Sequence, residues 1–130
     1  MYNEKMNISE VEDYVFEMFK NVSAHPYAET LPNTIGGSWN DMLLIDCNRG
    51  VKDNDGYGSG IILLYLYARP RSNGTKNVAK LKQMNHAVAQ ILENQDSSGS
   101  YNLYRIKTYP EYDYSRNWHC DVISLGITVK

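Results

Sequence analysis

The stretch from Gly60 to Asn94 limits the fold most, because it reads as a strand, a turn and a helix in immediate succession. Gly60 to Arg69 is a short apolar and aromatic run bounded by glycines before it and Pro70 after it, which fits a strand. Ile62, Leu64, Leu66 and Ala68 fall on one face, and Ile61, Leu63, Tyr65 and Tyr67 on the other. A strand apolar on both faces belongs inside a sheet, not at a solvated edge. Pro70 and Ser72-Asn73-Gly74 then form a turn. With Thr75 or Asn77 as N-cap, apolar residues recur at Val78, Leu81, Met84, Val88, Ile91 and Leu92, and Asn94 to Gly99 ends the helix. Such a helix covers one face of the sheet that holds the preceding strand.

The N-terminal part predicts a second helix. Ser9-Glu10-Val11-Glu12 has the form of a capping box. Val11, Tyr14, Val15, Met18, Phe19 and Val22 then keep a helical stripe, while Glu10, Glu12, Asp13 and Glu17 make the other face acidic near the helix start. Ser23 to Trp39, with Pro26, Pro32 and Gly36-Gly37, reads as a long irregular connection. Met42 to Cys47 reads as a short strand that pairs with the run at Gly60. Asn48 to Ser59 between them reads as a projecting loop, too long for a tight turn. Tyr101 to Tyr109 alternates Tyr101, Leu103, Arg105 and Lys107 against Asn102, Tyr104, Ile106 and Thr108 and is stopped by Pro110. Asp113 to Asn117 is a turn. In the final strand, Trp118 to Val129, Ile123, Leu125, Ile127 and Val129 share one face, and Trp118, Cys120 and Val122 share the other. The expected fold is a single α+β domain over residues 1–130 in the order α-β-β-α-β-β. Its two helices pack on a mostly antiparallel sheet of four strands or slightly more.

At 130 residues the chain is long enough to bury a core without staples. A net charge of −2 with mixed signs argues against a dedicated nucleic-acid binder. The first ten residues lack an apolar signal region, and no run is long enough to cross a membrane, so neither a signal peptide nor a membrane span is expected. The Asn-x-Ser/Thr triplets at Asn7, Asn21 and Asn73 therefore imply no glycosylation. Cys47 and Cys120, each at the edge of an apolar run, read as two buried reduced thiols, with a bridge between neighbouring strands as the alternative in an oxidising compartment.

Catalytic signals are sparse. His25, His86 and His119 show no ligand spacing, and in a strand His119 and Asp121 point away from Cys120. Asp53-Asn54-Asp55-Gly56 resembles the middle of an EF-hand loop, but that register puts Val51 first and Ile62 last. The glycines at 50, 56, 58 and 60 match no phosphate-cradling motif, and no nucleophile has an evident base. No catalytic, metal or cofactor residues are assigned. One alternative reading is a small metal-dependent enzyme, which would need the fold to gather Asp46, Asp53, Asp55, His119 and Asp121.

Tyrosine is the conspicuous residue: 11 of 130, with Tyr101, Tyr104, Tyr109, Tyr112 and Tyr114 close together near the C-terminus. Tyr, Trp and Arg supply large contact area with a polar tip at protein interfaces. Base stacking is another use, against which the charge balance counts. The candidate contacts are Tyr57, Tyr109, Tyr112, Tyr114, Arg116 and Trp118, within the segments Asn48 to Ser59 and Tyr109 to Trp118.

The element order, the long loop before the central strand, the passage from Ile61 to Arg69 through Pro70 and Asn73-Gly74 into the helix, and the Tyr-rich closing hairpin resemble the tail terminator and tail-completion proteins of long-tailed bacteriophages. The resemblance implies a non-enzymatic subunit without cofactors that closes into a homo-oligomeric ring, commonly a hexamer, at the head-tail junction. Such a ring joins through edge strands or loop contacts and has other head or tail proteins as partners. The implied location is the bacterial cytoplasm during assembly and then the virion, with no membrane and no dedicated nucleic-acid contact. A third reading is an accessory protein-binding domain of a mobile element.

Overall fold

The computed structural model describes residues 8–47, 51–54, 57–96 and 98–130, with only the backbone described at 8, 51–54 and 57. The elements are α1 (Ile8–Phe19), a 3-10 turn (Lys20–Val22), β1 (Pro26–Ala28), β2 (Asp41–Asp46), β3 (Val51–Asn54), β4 (Tyr57–Ala68), α2 (Val78–Glu93), β5 (Tyr101–Asp113) and β6 (Trp118–Val129). They form an α+β domain in which the path β1-β2-β4-β6-β5 runs across a mixed sheet, and β3 pairs beside β2 on the same flank of β4. β4 is the interior strand expected from its two apolar faces, antiparallel to β2 on one side and to β6 on the other.

The first face of the sheet carries both helices. Ile62, Leu64, Leu66, Ile123, Leu125 and Ile127 meet Val11, Val15 and Phe19 of α1 and Leu81, Met84 and Val88 of α2. Each large aliphatic side chain buried here contributes about 2 kcal/mol relative to solvent. Asn77 caps α2, its side chain accepting from the Lys80 N–H at 3.1 Å. α1 starts at Ile8, so Ser9 lies inside its first turn and not ahead of it.

Four further expectations need correction. The connection Ser23 to Trp39 contains a strand: β1 pairs parallel with β2, Tyr27 opposite Leu44. Three residues joined to a distant parallel partner leave no local periodicity to read. The stretch Asn48 to Ser59 is not a single projecting loop, since β3 pairs with the start of β4 and Asn54 stands opposite Tyr57. Two residues, Asp55 and Gly56, separate those strands in sequence, and Asp-Gly at that spacing is a tight-hairpin signal. Asn48, Arg49, Gly50, Asp55 and Gly56 themselves lie outside the described residues.

The other two corrections concern β5. A bulge between Arg105 and Lys107 inserts one residue, so Lys107 shares a face with Tyr104 and Tyr109, and Thr108 moves to the other. The strand also runs through Pro110 to Asp113. The Lys130 N–H donates to the Ser100 carbonyl, which sets the ladder's parity: Tyr101, Leu103, Thr108, Pro110 and Tyr112 turn their backbone groups away from β6. Pro110 therefore removes a donor that no partner strand needs. Leu103 is covered differently, its N–H donating to Gln95 Oε1 at 2.9 Å and its carbonyl accepting from Gln95 Nε2 at 2.6 Å. One side-chain amide thus takes the place of a neighbouring strand. Together with the bulge and Pro110, it blunts an edge that would otherwise invite strand addition.

Candidate interaction surface

Among the described residues no helix lies on the second face of the sheet. Met42, Leu63, Tyr67, Trp118, Cys120 and Val122 form its buried layer, and Leu31, Ile35 and Trp39 of the 29–40 connection close over it. Two arginines hold that connection down. The Arg69 guanidinium donates through Nε to the Trp39 carbonyl and through Nη2 to the Gly36 carbonyl at 2.9 Å, and it lies 4.8 Å over the Trp118 ring. Arg116 Nη2 donates to the Pro32 carbonyl at 3.3 Å. Gly36 is required by close approach, since a Cβ there would stand 2.2 Å from Trp39 Nε1. His25 stacks on Trp39, with ring centroids 3.9 Å apart.

The lower rows of this face are only partly covered: Leu63 and Ser124 are buried, while side chains around them reach solvent. Leu44, Tyr65, Tyr109, Ile61, Lys107 and Tyr104 make a surface of their own, with Ile61 42% and Tyr104 49% exposed. Ile61, Leu63, Lys107, Tyr109 and Ser124 line a pocket of about 240 Å³ there. The Tyr104 ring lies over Gly126, where a Cβ would fall 2.3 Å from the ring. Burial, with Asp46 and Tyr109 nearby, raises the Tyr65 hydroxyl above its ordinary pKa.

The expected contact residues are divided by this architecture. Tyr109 lies half-buried on the second face, whereas Tyr112 is on the first face against His119, at 4.9 Å. Tyr114, at the tip of the β5–β6 hairpin, is 83% exposed, and its ring stands edge-on to Tyr112 at 4.9 Å. Trp118 is only 4% exposed and belongs to the protein's own core, while Arg116 braces the turn and the 29–40 connection. Tyr57 opens β4, and its side chain lies outside the description.

The tip is rigidly built. Asp113 Oδ1 accepts from the N–H and the hydroxyl of Ser115 and from the Arg116 N–H, Asp113 Oδ2 pairs with Arg116 at 2.9 Å, and Asn117 takes a left-handed φ of 59°. Burial pushes the Asp113 carboxyl up, but the bonds from Ser115 and Arg116 outweigh it and leave the pKa lowered.

The donor set of the metal reading is dispersed by the sheet. Asp46 projects on the second face, His119 and Asp121 on the first, and the Asp53 and Asp55 side chains lie outside the description. Asp121 is bonded to Asn85 at 2.9 Å. Cys47 and Cys120 are likewise on opposite faces, in separate cores, both free and buried. Burial pushes the Cys47 thiol up to about 12, and burial with the Glu111 carboxylate nearby raises Cys120. Both thiols are therefore expected to resist a disulfide-exchange reagent at pH 8 in the native state and to react at once in denaturant. Fast labelling of either in the folded protein would contradict this placement.

Among the described residues no helix is long and apolar enough to cross a membrane. No family model matches the chain, and no curated protein matches it in sequence.

Proposed function

We propose that this chain is a non-enzymatic assembly subunit, similar to phage tail terminator and tail-completion proteins, that closes with copies of itself into a ring at the head-tail junction. The observation that carries the reading is the β5–β6 tip, where Tyr112 and Tyr114 stand side by side, with Tyr114 almost wholly in solvent. A turn pinned by Asp113 presents them. Large aromatic side chains held in place before contact lose little entropy on binding, which is the property of an interface anchor. The blunted β5 edge favours joining through this tip over strand addition. Each tip would meet a different surface on the next copy, giving a heterologous contact that closes by rotation.

Replacing Tyr112 and Tyr114 by Ser removes both rings while leaving the Asp113 turn intact. Their loss is expected to lower the affinity between subunits by about 1000-fold, since anchor residues contribute about 2 kcal/mol or more each. Sedimentation velocity on the wild type and the double variant reads this directly. An unchanged oligomer in the double variant would remove the tip from the contact.

A further inference from the structure

We infer that the partly covered lower half of the second face is the seat of a second copy of this chain, related to the first by a two-fold axis running along the strands. This goes beyond the ring reading, because the contact is isologous and uses a surface the hairpin tip does not touch. Opposite charges stand at the two ends of one row across the face. The register places Asp46 of β2 opposite Leu63, Leu63 opposite Ser124, and Ser124 opposite Lys107 of β5. One row across four strands thus begins with a carboxylate and ends with an ammonium.

Rotation by half a turn about an axis along the strands reverses their left-to-right order and preserves height along them. When two such faces meet, Lys107 of each copy comes over Asp46 of the other, and two opposite-charge contacts form at once. The neighbouring rows match by the same operation. Leu44, Tyr65 and Tyr109 are the partly exposed members of the row above, in which Val122 is buried, so Tyr109 falls over Leu44. In the row below, Tyr104 falls toward Ile61, the two most exposed apolar side chains of this half-face. Sheets packed face to face keep their strands within about 30° of alignment, which this axis allows. The other half-turn that brings this face onto itself, about an axis across the strands at this row, would set Lys107 over Lys107 and Asp46 over Asp46, so the charge row selects the axis along the strands.

Light scattering coupled to size exclusion tests this on the wild type, Asp46→Lys, Lys107→Asp and the double variant, at about 0.05 M salt where exposed charges are least screened. The wild type is expected to pair in a concentration-dependent way. Each single variant should weaken that pairing about tenfold or more, and the double variant should return to within about threefold of the wild type. Ile61→Asp, which alters neither charge, should also abolish pairing, and thermal melts establish that every variant is folded. Folded single variants that pair like the wild type, or a folded double variant that does not recover, overturn the inference. A closed ring indifferent to both charge reversals overturns it as well, while leaving the ring reading intact.

Discussion

Replacing Arg69 by Met is expected to destabilise the protein by about 3 kcal/mol and to release the 29–40 connection before the sheet unfolds. The guanidinium gives two charge-assisted hydrogen bonds to the Trp39 and Gly36 carbonyls, each worth about 1.5 to 3 kcal/mol when its partner is otherwise left unpaired. Its position over Trp118 adds about 1 kcal/mol. Part of the total is regained as the freed carbonyls find water. For a chain of this length, about 3 kcal/mol corresponds to a melting point lower by roughly 10 °C. Lysine does not replace the planar fork, so Arg69→Lys should recover less than half the loss. The two tryptophans of the chain, Trp39 and Trp118, both lie at this latch. Their emission should shift to the red in the variant at temperatures where the far-UV spectrum is still native. A variant with native emission and melting point would show that the latch does not hold the connection.

The second large effect is expected at the opposite face. Asp41 is 6% exposed and is bonded to Lys80 Nζ at 2.8 Å and to the Ser23 hydroxyl. Burial alone would raise its pKa, but the Lys80 and Ser23 bonds outweigh burial and hold the carboxyl below its ordinary value. Lys80→Met leaves that charge with Ser23 and backbone partners only. A loss of about 2 to 3 kcal/mol at pH 7 follows, at the lower end for a broken buried pair because the Lys80 side chain is itself partly in solvent. The pH dependence has a definite sign. A carboxyl whose folded pKa is depressed contributes stability that is fully present above its unfolded value, near 4, and is lost as pH falls through the folded value. The gap between wild type and Lys80→Met should therefore be widest near neutrality and shrink below about pH 4, as Asp41 becomes neutral in both proteins. Denaturant melts at pH 7 and pH 3 measure it, and a gap of equal size at both would rule out a charge origin.

The parts of this fold that could be read from the sequence are those set by local periodicity. The stripe from Val11 to Val22, the helix over Val78 to Glu93 and the two-faced strand at Ile61 to Ala68 each repeat at the spacing of their own element. The strand Trp118 to Val129 divides its apolar residues between two cores as its alternation requires. What was missed depends on partners far along the chain. β1 is a strand only because β2 lies beside it, and the bulge at Arg105 and Lys107 shows only in the pairing with β6. Pro110 breaks a strand when its N–H is needed and is harmless at an outward edge position, a distinction that local sequence does not carry.

The same holds for the candidate surface. Tyr112 and Tyr114 were picked out by composition, and the fold leaves both at the hairpin tip. Trp118 and Arg116 carried the same compositional signal but are used inside the molecule, under and beside a connection whose path is set by Arg69. The alternation puts Ile61 and Leu63 on one face of an interior strand and leaves open how far that face is covered. Leu63 is buried in the core that Leu31, Ile35 and Trp39 pack against, whereas Ile61, next along that face, stays 42% exposed. The row from Asp46 to Lys107 joins three separate strand pairings, and no linear pattern records it.

The central claim is that this chain works by joining copies of itself. Its most direct test is the absolute mass in solution, by light scattering coupled to size exclusion, across a wide range of protein and salt concentration. The account predicts a discrete closed oligomer, a hexamer if the likeness to tail terminators extends to number, whose mass stays constant over the upper part of the concentration range. A mass equal to one chain, 14.9 kDa, at every concentration and salt would contradict it.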